Sequence, residues 1–275
     1  MRVDAALVAR GLARSRGHAR ELIGGGHVII EGRVATKPAA PVRPDTVIEL
    51  AGDAGPARVG RAAGKLDAAF ARFGPAGLSA RDRRCLDVGA STGGFTQVLL
   101  EQGAAHVVAL DVGHGQLVPQ LAADPRVTER SGVNIRDVDP THLTAGHGPF
   151  GLLAADLSFI SLRLVLPHLA PLLAPDGDAV LLVKPQFEVG RGGLDKHGVV
   201  RTEAARRDAL TGVLHAAGAI GWHARDIMDS PVRGASGNRE YLGWFTPGPA
   251  PQRQPVGIEH PADARAPSRP EEDHG

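Results

Sequence analysis

The chain has a single cysteine, Cys85, among 275 residues. One thiol excludes an internal disulfide framework and any multi-cysteine zinc or iron–sulfur site. Aromatic residues make up only 4% of the sequence, so extended base stacking on aromatic platforms is not expected to dominate binding. No window reaches the roughly 18 uninterrupted apolar residues of a membrane-spanning helix. Because Met1 to Arg10 also lack an apolar signal-peptide stretch, the sequence predicts a cytoplasmic protein without membrane contact.

Metal-binding histidine patterns and lysine residues are also scarce in the sequence. The twelve histidines are dispersed and form no His-Glu-x-x-His helix, so no catalytic metal is expected. Only four of the 31 basic residues are lysines, namely Lys37, Lys65, Lys184 and Lys196. A chain that otherwise uses arginine favours lysine where a compact ammonium that can lose a proton is needed, although chance is the alternative.

Charge is distributed unevenly along the chain. Residues 1–84 hold 15 Lys/Arg against 8 Asp/Glu, whereas residues 85–275 hold 16 against 22. A basic first part and an acidic second part predict that the first part meets a polyanion such as nucleic acid, with a solvated basic surface as the alternative.

Glycine and proline are abundant, at 36 and 21 residues, and they divide the chain into segments. Residues 1–50 predict a small α+β domain, and residues 51–60 predict a linker. Residues 61–246 predict a larger domain. Residues 247–275 hold seven prolines and no aromatic residue, which is typical of a disordered tail.

Two short helices are predicted at the start of the chain. Val3, Leu7, Val8 and Leu12 share one face of the first helix. The second follows a Ser15 cap and ends at the glycines 24–26. Its outward side chains are expected to be Arg16, His18 and Arg20.

This first domain resembles the small RNA-binding domain of the S-four ribosomal protein. The matching residues are Arg2-Val3-Asp4, Gly11-Leu12, Ser15-Arg16, Ala19, Ile23, Gly26-His27-Val28, Gly32 and Lys37-Pro38. The resemblance implies that RNA phosphates are bound by Arg2, Arg14, Arg16, Arg20 and Lys37. Clustered basic side chains on a short helical face also favour phosphate contacts on physical grounds.

The second domain predicts an α/β fold with a parallel sheet. Strands are expected at 84–88, 106–111, 151–155, 179–183 and 241–245, and helices at 95–102 and 163–173. The turn after the first strand is glycine-rich, and Asp111 ends the second strand, where a carboxylate can grip ribose hydroxyls. The G-x-G-x-x-G fingerprint of dinucleotide sites is absent. The turn instead resembles the S-adenosylmethionine loop of methyltransferases, and a generic turn with structural glycines is the alternative.

Six segments of the second domain resemble the TlyA family, in which an S-four-type domain precedes an FtsJ-like methyltransferase domain. They are Asp87–Phe95, Asp111–Leu117, Asn134–Asp137, Asp156–Ser161, Val183–Glu188 and Gly237–Glu240. The resemblance implies a Rossmann-like methyltransferase sheet and the cofactor S-adenosylmethionine. It implies ribose 2′-hydroxyls of ribosomal RNA as the target, within a ribosomal subunit or assembly intermediate. The cofactor-binding residues that it implies are Asp87, Gly89, Ser91, Thr92, Gly93, Gly94, Phe95, Asp111 and Asn134.

FtsJ-like enzymes carry a Lys-Asp-Lys-Glu catalytic tetrad, and the matching positions are Lys65, Asp156, Lys184 and Glu240. Lys184 is expected to orient or deprotonate the ribose hydroxyl, because that hydroxyl is a poor nucleophile at neutral pH. The two carboxylates are expected to fix the lysines, with Lys65 as a support. Ahead of Lys65, residues 60–65 keep only the arginine and the lysine of the family pattern.

Two other functions fit the sequence less well. Some TlyA members are called haemolysins, so a membrane-active cytolysin is one alternative, and a non-catalytic RNA-binding protein on the same fold is another. Residues 190–200 predict a mobile loop whose Arg191, Lys196 and His197 could meet RNA, or a solvated connector. The sequence leaves the modified nucleotide, the subunit and the oligomeric state open.

Overall fold

The structure is a computed structural model, and it describes residues 1–13, 16–24, 28–50, 58–234 and 236–248. The predicted roles of Arg14 and Ser15 lie outside these residues, as do most of the predicted linker and tail. The chain divides into two compact units, Met1–Gly60 and Arg61–Gly275. This division coincides with the end of the linker predicted over residues 51–60.

The first unit pairs two helices with a small antiparallel sheet. Helices α1 (Val3–Ala9) and α2 (Arg16–Gly24) precede strands β1 (Val28–Ile30), β2 (Arg33–Val34) and β3 (Ile48–Leu50). The sheet order is β2-β1-β3. The core of the unit is small and apolar, and it includes Val3, Leu7, Ala19, Ile23 and Val28.

Two details of the predicted helices were wrong. Helix α1 ends at Ala9, so Leu12 follows the helix and does not continue its face. His18 was expected to point outward, but it is only 6% exposed. An imidazole has an apolar body, and it packs here on the same side of α2 as Ala19.

The second unit is built on a seven-stranded sheet. Its strands are β4 (Arg84–Val88), β5 (His106–Asp111), β6 (Val127–Ser131), β7 (Phe150–Ala155), β8 (Leu173–Val183), β9 (Trp222–Asp229) and β10 (Tyr241–Pro247). The order is β6-β5-β4-β7-β8-β10-β9. Strands β4 to β8 run parallel, but β10 pairs antiparallel with both β8 and β9. The prediction of a parallel sheet was therefore wrong for this edge.

Helices cover both faces of the sheet. They are α3 (Ala63–Phe73), α4 (Gly94–Glu101), α5 (Pro119–Ala122), α6 (Pro140–Thr144), α7 (Leu162–Leu169), α8 (Pro185–Glu188) and α9 (Glu203–Ala219). Helices α7 and α9 share one core cluster with the sheet, through Leu166 and Val213. On the side of α3, Phe73 packs against Trp244 with ring centroids 5.9 Å apart. A strand that is buried on both faces has a continuous apolar sequence, and this is true of β7 and of the second half of β8.

The strand order places a crevice at the carboxyl ends of β4 and β7. From β4 the chain proceeds to β5 and β6 on one side, and then returns to β7 on the other side. In open α/β sheets, ligands bind outside the carboxyl ends of the strands at such a reversal point. The fold therefore predicts the position of a site before any side chain is considered.

Candidate active site

The crevice is narrowest where β4 and β7 end. The backbone N–H of Asp156 donates to the carbonyl of Val88 (3.1 Å). Gly89 has φ +87°, and a Cβ there would lie 2.6 Å from the carbonyl oxygen of Asp156. Only glycine tolerates both the backbone conformation and this approach. The glycine predicted as a cofactor residue is thus also what lets the two strand ends meet.

The four predicted catalytic residues meet at this end of the sheet. Lys65 Nζ, from α3, lies 2.7 Å from Glu240 Oε2 and 3.8 Å from Asp156 Oδ2. Lys184 Nζ lies 2.6 Å from Asp156 Oδ1. We call these four residues the tetrad. Their side chains are at most 13% exposed, so the charges face each other with little screening by solvent.

Different elements position each member of the tetrad. Asp156 follows β7, Lys184 follows β8, and Glu240 precedes β10. Because β7, β8 and β10 are neighbours in the sheet, their ends bring together residues that are far apart in sequence. Lys65 arrives on α3, whose first residue packs against α4 so closely that a Cβ at Gly94 would lie 3.0 Å from the nitrogen of Ala63.

Two uncharged residues hold the tetrad in place, and sequence reasoning assigned neither. Gln186 Nε2 donates to Glu240 Oε1 (3.0 Å), which leaves Oε2 for Lys65. Lys184 Nζ donates to Ser158 Oγ (2.8 Å). Both residues belong to the segments that resemble the TlyA family, and that membership is the signal that could have found them.

A cavity of about 430 Å³ opens beside Asp156. Of the predicted cofactor residues, its wall includes Gly89, Ser91, Asp111 and Asn134. Asp111 Oδ2 accepts from the backbone N–H of Ser91 (2.8 Å), and its Oδ1 accepts from that of Gly113 (2.7 Å). Asn134 Oδ1 accepts from the backbone N–H of Arg136 (3.1 Å). Both carboxylate oxygens of Asp111 keep further lone pairs that can accept hydrogen bonds from a ligand in the cavity.

Five of the predicted cofactor residues do not lie on the described wall of the cavity, and their surroundings differ from one residue to the next. They are Asp87, Thr92, Gly93, Gly94 and Phe95. Phe95 is 2% exposed and belongs to the apolar interior, whereas Thr92 is exposed. Gly93 has φ +101°, and a Cβ there would meet Leu121 Cδ1 at 2.3 Å. Gly94 is required by the contact with α3 described above.

Asp87 is fully buried in β4, away from the surface of the cavity. Its Oδ2 accepts from Thr96 Oγ1 (2.6 Å). Burial raises the pKa of the Asp87 carboxyl to about 7, against the hydrogen bond from Thr96, and the nearby Asp156 adds to the rise. The role of Asp87 as a cofactor-binding residue, which the resemblance implies, would require its carboxylate to be reached from the cavity.

The predicted mobile loop over residues 190–200 is held by several hydrogen bonds. Asp195 Oδ1 accepts from the backbone N–H groups of His197 and Val199 (2.8 and 2.9 Å). Asn238 donates to the Gly198 carbonyl (2.9 Å) and accepts from the Val200 N–H (3.0 Å). These bonds build a short turn tied to the segment that precedes Glu240, and the mobile loop and the solvated connector both stay predictions.

In the first unit, a buried carboxylate organises the predicted RNA-binding arginines. Asp4 is 1% exposed and accepts from Arg2 Nε and Nη2, both at 3.0 Å. Arg20 Nε lies 3.5 Å from the same carboxylate. The hydrogen bond from Arg2 lowers the pKa of Asp4, and the charge of Arg16 contributes to the lowering. Arg2, Arg16 and Arg20 are therefore brought together, and Lys37 is exposed.

The described part of the chain contains neither a metal-binding cluster nor a membrane-spanning helix. Within these residues, no group of three or more His, Cys, Asp or Glu side chains is arranged to hold a metal ion. None of the helices described has the length and apolar character needed to cross a membrane.

Comparisons with known proteins define the class of the chain. Residues 58–246 match the profile of the FtsJ-like methyltransferases, and residues 1–48 match the S4 domain. The 16S/23S rRNA (cytidine-2′-O)-methyltransferase TlyA of Mycobacterium tuberculosis is 49% identical over 244 residues, with 89% of each chain covered. The chain therefore belongs to the FtsJ-like methyltransferases, and within them to the TlyA family.

Two further relatives carry another name. Hemolysin A of Brachyspira hyodysenteriae is 36% identical over 245 residues, which cover 89% of this chain and 99% of that protein. A solved structure from Streptococcus thermophilus, also named for a hemolysin, superposes with a TM-score of 0.69 at 36% identity. It covers 91% of this chain and 90% of the other. The overall fold is thus shared with this solved structure.

Proposed function

We propose that the protein transfers the methyl group of S-adenosylmethionine to a ribose 2′-hydroxyl of ribosomal RNA. The observation that carries the proposal is the tetrad, in which Lys65, Asp156, Lys184 and Glu240 meet at the carboxyl ends of the strands. Asp156 also lines the adjacent cavity, so a hydroxyl and a methyl donor can be brought together there. The TlyA relative is named for the same reaction on cytidine.

The residues around the cavity fit the cofactor. The volume of about 430 Å³ lies within the range of roughly 300–1,000 Å³ that is common for small-ligand sites. Asp111 ends β5 and has free lone pairs for ribose hydroxyls, the position that a carboxylate occupies in many nucleotide-binding sheets. Bound S-adenosylmethionine supplies an activated methyl group on a sulfonium, so the protein has only to place the hydroxyl and handle its proton.

The tetrad consists of two ion pairs with different roles toward the ribose hydroxyl. Lys184 orients or deprotonates the ribose hydroxyl, while Asp156 holds its amine at 2.6 Å and stabilises the ammonium that forms. Lys65 Nζ lies 2.7 Å from Glu240 Oε2 and 3.8 Å from Asp156 Oδ2, the carboxylate oxygen that does not face Lys184. The second ion pair thereby keeps Asp156 in the orientation that Lys184 needs.

The first unit supports ribosomal RNA as the substrate. The exposed Arg2 and Arg20 pair with the buried carboxylate of Asp4, and the charge of the exposed Arg16 acts on the same carboxyl, so three guanidinium groups lie in one part of the unit. Guanidinium groups bind phosphates through paired hydrogen bonds, and such contacts fix an RNA without reading its sequence. This arrangement suits a large folded RNA that is held by its backbone.

Substitution of Lys184 tests the chemical step. Lys184→Arg retains the charge but cannot give up its proton, and its planar fork points differently. We expect both Lys184→Arg and Lys184→Ala to slow methyl transfer by at least about 100-fold, the usual scale of general acid–base catalysis. The assay is single-turnover transfer of tritiated methyl groups to ribosomal subunits from a strain that lacks the gene, followed by mass-spectrometric mapping of ribose methylation.

Lys196→Arg is the matched control, because Lys196 is exposed and outside the tetrad. Affinity for S-adenosylmethionine should stay within a few fold in all three variants. A rate near that of the unchanged protein for Lys184→Arg would show that positive charge suffices, and the role in proton handling would then have to be abandoned. No methylation of rRNA by the unchanged protein would overturn the proposed function itself.

A further inference from the structure

Lys184 is separated from the open cavity by its ion-pair partner Asp156 and its hydrogen-bond partner Ser158. The cavity wall, as far as the structure describes it, includes Asp156 and Ser158 but not Lys184. Lys184 Nζ lies 2.6 Å from Asp156 Oδ1 and 2.8 Å from Ser158 Oγ, and the lysine side chain is 10% exposed. A hydroxyl that enters from the cavity therefore meets these two side chains before it meets the amine.

Ser158 is suited to the position between the cavity and Lys184. It is exposed, and its hydroxyl can donate one hydrogen bond and accept two. The distance of 2.8 Å between Ser158 Oγ and Lys184 Nζ fits two hydrogen bonds. The lysine ammonium can donate to the hydroxyl, or the hydroxyl can donate to a neutral amine. A carboxylate in the position of Asp156 only accepts, so it cannot pass a proton onward without first becoming neutral.

The backbone after Ser158 has an unusual conformation. Phe159 has φ +64°, the left-handed region, although it is not a glycine. For a residue with a Cβ this conformation is strained, and such strain gathers at functional sites. Phe159 is 92% exposed, and its ring lies against that of Phe187 with centroids 5.3 Å apart. The turn lies directly after the residue whose hydroxyl reaches Lys184.

We propose that Ser158 is a catalytic residue that relays the proton of the ribose 2′-hydroxyl to Lys184. This inference rests on the proposed function. As the 2′-oxygen forms its bond to the methyl carbon, the carbon–sulfur bond breaks and its electron pair stays on sulfur. The hydroxyl proton passes to Ser158 Oγ, and the proton of Ser158 passes to the neutral Nζ of Lys184. The products are a 2′-O-methyl ribose, a neutral thioether and a Lys184 ammonium.

The charges of the tetrad favour this direction of transfer. While Lys184 is neutral, two carboxylates face only one cation, Lys65. The proton that arrives at Lys184 restores the balance, and Asp156 lies 2.6 Å from the new ammonium. Preorganised charge of this kind stabilises the developing ammonium without rearrangement.

Two substitutions of equal shape test the relay. Ser158→Thr keeps a hydroxyl, whereas Ser158→Val replaces that hydroxyl by a methyl group of the same size. We expect Thr to stay within about 10-fold of the unchanged rate and Val to fall by about 100-fold or more in single-turnover methylation of the same ribosomal subunits. Affinities for S-adenosylmethionine and for the subunits should stay within about 3-fold.

Ser161→Ala is the control within the same segment. Its hydroxyl bonds to Glu188 (2.5 Å) and caps α7, and it has no contact with Lys184. If Ser158 acted only by ordering the segment, Ser161→Ala and Ser158→Val would slow the reaction alike. Because Ser161 supports the segment through Glu188, Ser161→Ala measures what loss of that order costs the rate, and the relay predicts a much larger loss for Ser158→Val.

A second measurement needs neither cofactor nor RNA. The chain has four lysines, so lysine side chains labelled with carbon-13 give few enough NMR signals to assign by substitution. Ser158→Val should shift the Lys184 signal, and Ser158→Thr should leave it in place. A rate for Ser158→Val close to that of Ser158→Thr, or an unmoved Lys184 signal, overturns the relay while leaving the proposed function standing. An unchanged protein that methylates no rRNA would overturn both.

Discussion

Among single residues, two carboxylates on neighbouring strands have opposite environments. Asp111 ends β5 and accepts two backbone N–H bonds at the cavity wall. Asp87 lies in β4, is 0% exposed, and accepts one hydrogen bond, from Thr96. Hydrogen bonds from N–H groups favour a charged carboxylate, whereas burial disfavours it. The first is therefore equipped for a polar ligand, and the second affects how stability depends on pH.

Asp111→Ala should weaken the affinity for S-adenosylmethionine by about 10- to 100-fold. The change removes hydrogen bonds between a charged group and ribose hydroxyls, each worth roughly 1.5–3 kcal/mol. It also frees the backbone at Ser91 and Gly113, which form the neighbouring wall. Titration calorimetry measures the effect. Asp124→Ala is the matched control, because Asp124 pairs with Arg126 and is not on the described cavity wall. Equal affinities in the two folded variants would remove Asp111 from the site.

Asp87 should make the protein less stable as pH rises from about 4 to 7. Burial raises the pKa of its carboxyl to about 7, from about 3.9 in an unfolded chain. In that interval the native state binds more protons than the unfolded state, so the free energy of unfolding falls with pH. Asp87→Asn cannot ionise and lacks this dependence. The difference between the two proteins should change by up to about 4 kcal/mol between pH 4 and pH 8.

Urea denaturation at several pH values measures this difference. The unchanged protein should lose stability relative to Asp87→Asn as pH increases. Parallel pH dependences of the two proteins would mean that the carboxyl of Asp87 is charged in the native state at neutral pH.

Among the elements, the segments that follow β7 and β8 are joined by one buried side chain. Glu188 has a side chain that is 1% exposed. It accepts from Ser161 Oγ (2.5 Å), Leu162 N (2.7 Å) and Arg163 Nε (3.0 Å). Asp156 and Ser158 precede these donors in one segment, and Lys184 precedes Glu188 in the other. The glutamate therefore fixes the distance between the two sides of the tetrad.

Glu188→Ala should lower the free energy of unfolding by about 2–4 kcal/mol, because buried donors lose their acceptor. Methyl transfer should slow as well, since Asp156 and Lys184 lose their common support. Glu203→Ala is the control, because Glu203 forms ion pairs on α9 with Arg206 and Arg207 at greater exposure. Surface pairs contribute roughly 0–1 kcal/mol. Chemical denaturation and the single-turnover assay are the measurements, and equal losses in the two variants would contradict the role of Glu188.

The sequence predicted the central strands well and the edges poorly. Strand β4 was predicted with its observed ends, because a buried strand is a continuous apolar run between turn residues. Strands β6 and β9 were missed. Their residues are mostly half-buried or exposed, so neither alternation nor an apolar run marks them. The antiparallel direction of β10 depends on pairing across the sheet, which no local pattern reveals.

The candidate site was also predicted only in part from the sequence. The resemblance gave all four members of the tetrad, including Lys65, whose surrounding segment keeps little of the family pattern. It did not separate residues on the cavity wall from residues behind it. Gly94 and Phe95 belong to the same motif as Gly89, but helix packing and the core account for them. Only the position of neighbouring elements distinguishes these roles.

On the scale of the whole molecule, the proposed RNA binding and the proposed chemistry lie in two different compact units. The first, Met1–Gly60, carries the arginines around Asp4, and the second carries the tetrad and the cavity. The ion pairs and hydrogen bonds described above for the tetrad lie within the second unit. The proposed RNA contacts of Arg2, Arg16 and Arg20 lie within the first. Removal of the first unit should therefore separate the two activities.

A chain that begins at residue 58 should bind S-adenosylmethionine within a few fold of the full-length affinity but should lose most of its affinity for ribosomal subunits. Phosphate contacts release counterions, so the affinity of the full chain should fall steeply with salt, and the truncated chain should show a much smaller slope. Arg16→Ala with Arg20→Ala in the full chain should reduce that slope by about 2. Arg43→Ala is the control, since Arg43 is exposed and pairs with Asp45 outside the cluster.

Calorimetry with the cofactor and filter binding of subunits over a range of salt concentrations give the two affinities. The single-turnover assay then shows whether chemistry follows binding, because the truncated chain should regain part of its rate at high subunit concentration if only affinity is lost. Because cofactor affinity is measured separately, a truncated chain that has simply failed to fold is recognised at once. A truncated chain that binds and methylates ribosomal subunits as well as the full chain would place RNA recognition in the second unit.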